Sequence, residues 1–233
     1  MSSPKIKLYT NHGCPWAHRA HIALAELGLP YEEEIIDLSV PRTQEYLKVN
    51  PRGLVPSLSY DGEIVTESAV VAQFLADAHP SHLVPTAGTP EAALRRARVA
   101  FFVDAYFSKA NGYIFKVYSA KSEGEVEAAA GAFVDAVAKE VEPLLGDAKP
   151  YFGGSEKVTL AEVLTGSFTL RLFSFANHGI LPRSILANLE QRAPNFYKWA
   201  QAVNQTPSVT KIWDEVNVVE RTKHRIASLR AAA

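Results

Sequence analysis

"KIKLYTNHGCPWAHRAHIALAELGLPYEEEIIDL", Lys5 to Leu38, changes its hydrophobic period twice. Ile6 and Leu8 alternate with lysines, the two-residue period of a strand. From Pro15 to Leu27 the period lengthens, and Ala17, Ala20, Leu24 and Leu27 share one helical stripe. Gly28 then stands as a C′ residue and Pro30 as a stop. Tyr31 to Leu38 is extended again. Strand, helix and strand in so short a span form a βαβ unit, whose two strands run parallel.

Further along, "PSLSYDGEIVTES" (Pro56 to Ser68) holds two short β segments around Asp61-Gly62, a hairpin signal. Ser68 caps a helix, "AVVAQFLADAH", that ends before Pro80. The order β-α-β followed by β-β-α is that of a thioredoxin-like α/β domain, expected over residues 1–82. Prolines 80, 85 and 90 mark a linker, after which the strand signal disappears. Thr89-Pro90 reads as N-cap and N1 of a long helix carrying Val99, Phe102, Val103 and Tyr106. Further helices are expected near 126–145, 160–176, 184–192 and 196–204, and a last one from Val209 to about Ser228. Thr159 and Glu162 form a capping box. Residues 91–233 are therefore read as an all-α domain.

Of 233 residues, 47% are apolar and 21% charged, with a formal net charge of −1. That balance excludes a global field recruiting nucleic acid or an anionic membrane. "RRAR" (Arg95 to Arg98) falls on a helical pattern and reads as a solvated face. No apolar run approaches the roughly 20 residues a bilayer needs. "MSSPKIKLY" lacks the apolar core of a signal peptide. One cysteine makes no internal disulfide, so the cytosol is the expected compartment.

That cysteine is Cys14. Pro15 suits the first helical position, which makes Cys14 the N-cap. Unpaired amides and the positive end of the helix there favour thiolate over thiol. Ala17 stands where a dithiol enzyme places its second cysteine. An intermediate on Cys14 must then be released by an external thiol, of which glutathione is the abundant cytosolic one. A metal reading of His12, Cys14, His18 and His21 is disfavoured, because His12 precedes the helix and should not converge with His21. His18 either supports the thiolate when protonated or lies on the surface. Val55-Pro56 enters a strand either as an ordinary trans proline or as a cis bond that turns the Val55 backbone outward to pair with a peptide. Thr66 to Ser68 puts a hydroxyl and free amides at a helix N-terminus, a carboxylate site.

Together "CPWAHR", "NPRGLVPSL", "ESAVVAQFL", the linker and the helical second half resemble the cytosolic glutathione transferase family. "CPWAHR" is similar to the omega-like, cysteine-type branch and to the glutathionyl-hydroquinone reductases. The resemblance implies glutathione as co-substrate, held by Pro15, Trp16, Leu54, Val55, Pro56, Glu67 and Ser68. Pro56 would be cis, Glu67-Ser68 would grip the γ-glutamyl end, and Lys48 would meet the glycyl carboxylate. It further implies Cys14 as catalytic nucleophile in thiol transfer, no metal, and a homodimer. The acceptor would sit between domains against Tyr106, Phe107, Asn111, Phe115 and Tyr118, with Trp213 in the terminal helix closing over it. Two alternatives are a conjugating enzyme using the hydroxyl of Tyr9 or Thr10, and a non-enzymatic binding module. The usual Asp of the second-domain capping motif is Glu162 here.

Overall fold

Alternation along Ile6–Thr10 points Ile6, Leu8 and Thr10 inward and makes this segment β1, the second strand of a four-stranded sheet. In the computed structural model, which describes residues 4–232, the strand order is β2-β1-β3-β4. β2 (Glu32–Ile35) pairs parallel to β1, while β3 (Ser57–Tyr60) and β4 (Glu63–Thr66) are antiparallel. The hairpin turn is where the sequence put it: Asp61 and Gly62 take φ of 50° and 95°, as a two-residue turn between twisted strands requires. Helices α1 (Pro15–Glu26) and α3 (Ser68–Ala78) complete the thioredoxin-like unit.

α2 (Gln44–Val49) was not read from the sequence. Its one buried residue, Tyr46, gives no period to detect, although Thr43 caps it by accepting from the Tyr46 amide at 3.2 Å. The helical unit begins as expected at α4 (Pro90–Ala105), with Thr89 accepting from the Ala92 amide at 3.2 Å. A π-turn over Tyr106–Ala110 leads into α5 (Gly112–Ser119). α6 (Glu123–Ala136) runs on through a π-turn and a 3₁₀ turn to Leu145. α7 (Leu160–Asn177) is buried on nearly every side, and α8 (Ser184–Arg192) and α9 (Pro194–Asn204) pack around it. The single terminal helix expected from Val209 is instead two: α10 (Pro207–Thr210) and α11 (Glu215–Ala232). Asp214 starts the second, its carboxylate accepting from the Asn217 amide at 3.1 Å.

α7 packs on α1, and three hydrogen bonds join them: Ser167 Oγ donates to the Pro15 carbonyl at 2.7 Å, Arg19 Nε to the Leu164 carbonyl at 2.7 Å, and Arg171 to His18 Nδ1 at 3.4 Å. One cluster of buried apolar side chains runs from Leu8 and Leu24 through Leu75 to Phe102 and Trp199. The buried carboxylate of Glu162 braces the start of α7. It accepts from the Thr159 amide (2.8 Å) and hydroxyl (2.6 Å), the Phe152 amide (2.8 Å) and Trp199 Nε1 (2.7 Å). The longer glutamate thus closes a full capping box.

Candidate functional site

Cys14 is the N-cap of α1, in extended conformation, directly before Pro15. Its amide donates to the Asn11 carbonyl at 2.9 Å. Asn11 in turn accepts from the Gly13 amide (3.1 Å) and donates to the Ile36 carbonyl (2.9 Å), pinning the loop to the end of β2. Sγ closes no cap hydrogen bond. It lies half-buried in a cleft of about 870 Å³ between the sheet unit and the helical unit.

Arg19 lines this end of the cleft and Arg171 lies behind it against Gly13, and sequence reasoning missed both. Arg19, on α1, is buried under the rings of Trp16, Phe107 and Phe168, and its NH1 donates to Ser68 Oγ at 3.0 Å. Arg171, on α7, is 6% exposed and donates to the Gly13 carbonyl (3.2 Å) and the Ser167 carbonyl (2.9 Å). Neither has a carboxylate partner among the described residues. Burial draws Arg19 down to about 9 and Arg171 down to about 10. Both stay cationic at neutral pH. Arg171 pairs with nothing acidic, and a lone arginine inside a buried helix was the readable sign.

His18 turns out to be neither of the two things expected of it. It is 0% exposed, so not a surface residue. Burial, then Arg171 beside it, holds its pKa well below the usual histidine range, so it is not a cation either. Arg171 is the positive group in its place.

The residues expected to hold glutathione come together. Pro15, Trp16, Leu54, Val55, Pro56, Glu67 and Ser68 all line the cleft, and Val55–Pro56 is cis. Tyr46 and Asn50 hold their loop, the Asn50 amide donating to the Leu54 carbonyl at 2.9 Å and to Ser57 Oγ at 3.1 Å. Glu67 sits at φ 69°, a strained backbone for a side-chain-bearing residue, and its carboxylate pairs with Arg52. Lys48 is different: it is exposed on α2 and does not line the cleft. Arg42 does line it, clamped by donating from Nε to the Gly53 carbonyl at 3.0 Å. Gly53, at φ +64°, is required there, because a Cβ would stand 2.9 Å from Arg42 Cγ.

Tyr9 and Thr10 lie outside the cleft. Tyr9 packs on Tyr46, and the fully buried Thr10 hydroxyl bonds His21 Nε2 at 2.8 Å. His12 and His21 do converge, against expectation: with Glu33 they bring three ligand-type atoms within 4.8 Å of one another. The βα loop, not the helix register, places His12 there. All three side chains are hydrogen-bonded, His12 to Glu33 at 2.7 Å and His21 also to Tyr31 at 2.9 Å. Burial brings His21 down to about 4. Cys14 and His18 take no part in this group.

The expected acceptor residues divide. Tyr106, Asn111, Phe115 and Tyr118 line a cavity of about 250 Å³ among α5, α7 and α11, adjoining the cleft at Gly13 and Pro15. Phe107 faces away from it, into a groove by Trp16 and α4. Trp213 corrects its expectation twice. It sits in the turn before α11, and its ring covers Arg171 at 4.9 Å instead of closing the cavity. Thr222, Arg225, Ile226 and Leu229 of α11 close it.

With this geometry in hand, comparison with known proteins identifies the family. The glutathione S-transferase N-terminal domain, as a family model, matches residues 13–78. A probable glutathione S-transferase of Oryza sativa subsp. japonica is 31% identical over 221 residues, spanning 89% of this chain and 91% of its own. A rice glutathione transferase crystallised in complex with glutathione superposes with a TM-score of 0.82 at 26% identity, over 98% and 99% of the two chains. An omega transferase of Trametes versicolor superposes with a TM-score of 0.79 at 30% identity, over 96% and 99%. The N-terminal family model and a relative matched along nearly the whole length lead to one conclusion: this chain belongs to the glutathione S-transferase family.

Proposed function

We propose that the protein is a glutathione-dependent thiol transferase of the omega-like kind, with Cys14 as nucleophile. One observation carries this reading: the sole thiol of the chain lines the glutathione cleft together with the buried Arg19, while the buried Arg171 lies behind it on the Gly13 carbonyl, neither arginine having a carboxylate partner among the described residues. The Cys14 thiolate attacks the glutathionyl sulfur of a mixed disulfide, forming Cys14–S–SG and releasing the acceptor as a thiolate. A second glutathione attacks that bond, restoring Cys14 and leaving oxidised glutathione. The γ-glutamyl carboxylate is assigned to Ser68 and the amides starting α3, and the cysteinyl backbone to Val55. Arg42 replaces Lys48 as the cation toward the glycyl end. The reaction suits a reducing cytoplasm, and among the described residues no helix is long and apolar enough to cross a membrane. Exposed Val70 on α3 and Leu94 and Phe101 on α4 support pairing with a second copy as a homodimer.

Incubation with oxidised glutathione should add one glutathionyl group by mass, and none to Cys14→Ser. An unmodified wild-type protein would overturn the mechanism. Conjugation by glutathione's own thiolate is the second reading, favoured by the whole-length match to a rice transferase crystallised with glutathione. Tyr9 and Thr10, the hydroxyls expected to serve it, lie outside the cleft. It predicts that Cys14→Ser keeps or gains conjugating activity toward 1-chloro-2,4-dinitrobenzene while wild-type transfers no thiol.

A further inference from the structure

The cavity beside the cleft is apolar in its walls, and its charged groups are of one sign. Phe115, Phe168, Leu172 and Phe175 supply aromatic and aliphatic surface, and among the described residues no Asp or Glu lines it. Two tyrosines and two arginines face the same space. Tyr106 is 1% exposed, yet neither its hydroxyl nor that of Tyr118 has a hydrogen-bond partner among the described residues. The Tyr118 hydroxyl feels the charges of both Arg171 and Arg225, and that of Tyr106 feels Tyr118 and Arg19. Burial raises both phenols above their ordinary range, so they are O–H donors at neutral pH. Arg225, exposed at the mouth, has no ion pair or hydrogen bond among the described residues. Two phenol donors and one cation, Arg225, without a partner, beside a second cation whose hydrogen-bond acceptors are all neutral, around a space smaller than the roughly 300 Å³ at which drug-sized pockets begin, describe an incomplete site.

We propose that this cavity seats an acceptor made of a single aromatic ring carrying an anionic oxygen group, a carboxylate or phenolate, with the ring between Phe115 and Phe168 and the anion among Tyr106, Tyr118, Arg171 and Arg225. The apolar walls take the ring, and the unpartnered donors replace the water an anion would lose. Gly13, Pro15, Phe115, Thr222 and Arg225 line both spaces, so a ring joined to glutathione through sulfur passes from one into the other next to Cys14. The identity of the acceptor rests on the thiol-transfer reading; the anion seat itself does not.

The test uses two mixed disulfides of glutathione, one with 4-mercaptobenzoate and one with 4-methylbenzenethiol, which differ in carboxylate against methyl. Calorimetry on the full chain bearing Cys14→Ser, which exchanges neither, should show the carboxylate binding at least about ten-fold tighter. Adding Tyr118→Phe, at a position that lines the cavity and not the cleft, should remove most of that preference and leave the methyl compound unchanged, and Arg225→Gln should weaken the carboxylate compound more than the methyl one. Equal binding of the two, no binding of either, or equal weakening of both by Arg225→Gln would overturn the proposal. Turnover by the wild type is read separately. Exchange without carboxylate preference sinks the seat and keeps the chemistry, whereas preferential binding without any exchange sinks the chemistry and keeps the seat.

Discussion

Cys14 owes its setting to three chemically distinct neighbours. Pro15 starts the helix without needing an amide partner, Asn11 ties the loop to Ile36, and Arg171 supplies a buried positive charge from the other unit. His18, four residues on and the obvious candidate from the sequence, is held neutral by burial and by that same arginine. A residue-level prediction separates the two. Arg171→Gln should slow alkylation of Cys14 by iodoacetamide at pH 7 several-fold, since one unit charge at a partly desolvated site is worth on the order of 1 kcal/mol. His18→Leu should leave the rate within about two-fold, because a neutral ring contributes no charge. The reverse ranking would return the supporting role to the histidine.

At the scale of elements, α7 is the piece on which the site depends. It carries Arg171, docks on α1 through Ser167 and Leu164, and is fastened at its start by Glu162. That carboxylate satisfies four donors with no basic partner, so its removal leaves buried N–H groups of Trp199, Phe152 and Thr159 unpaired. Glu162→Ala should cost about 3 to 5 kcal/mol in urea unfolding. Glu162→Gln, which keeps the acceptor oxygen but brings surplus N–H donors, should fall between. An effect under about 1 kcal/mol for the alanine variant would show that the cap is not what holds α7. Its Thr-x-x-Glu signature was legible in the sequence because both partners are local. α2 and the break before α11 were not: one has a single buried residue, and the other is marked only by Asp214 in a stretch that keeps its apolar pattern.

Across the whole molecule, two buried neutral histidines set a pH limit on stability. His18 and His21 are both depressed by burial, His21 to about 4, so the unfolded chain takes up protons below about pH 6.5 that the folded chain refuses. Stability therefore rises with pH across this range and is lost as pH falls from about 6.5 toward 4, by up to about 1.4 kcal/mol per pH unit for each histidine. Thermal unfolding of wild type against His18→Leu should show a shallower acid-side slope for the variant, by nearly one proton. Parallel slopes would mean that His18 is protonated in the folded protein.

The sequence by itself determined what depends on neighbours along the chain: the βαβ unit, the Asp61-Gly62 hairpin, the caps at Thr89 and Thr159, and the place of Cys14 at a helical start. Those are effects of period, backbone conformation and hydrogen bonds a few residues long. Only the tertiary structure decided which groups meet across it. It put Arg42 in the cleft and left Lys48 outside, brought Arg171 from α7 to the Gly13 carbonyl, paired His12 with Glu33, and laid Trp213 over an arginine instead of a cavity. The reason is physical: a charge or a ring finds its partner through space, after burial has chosen which faces touch, and period along the chain does not encode that choice.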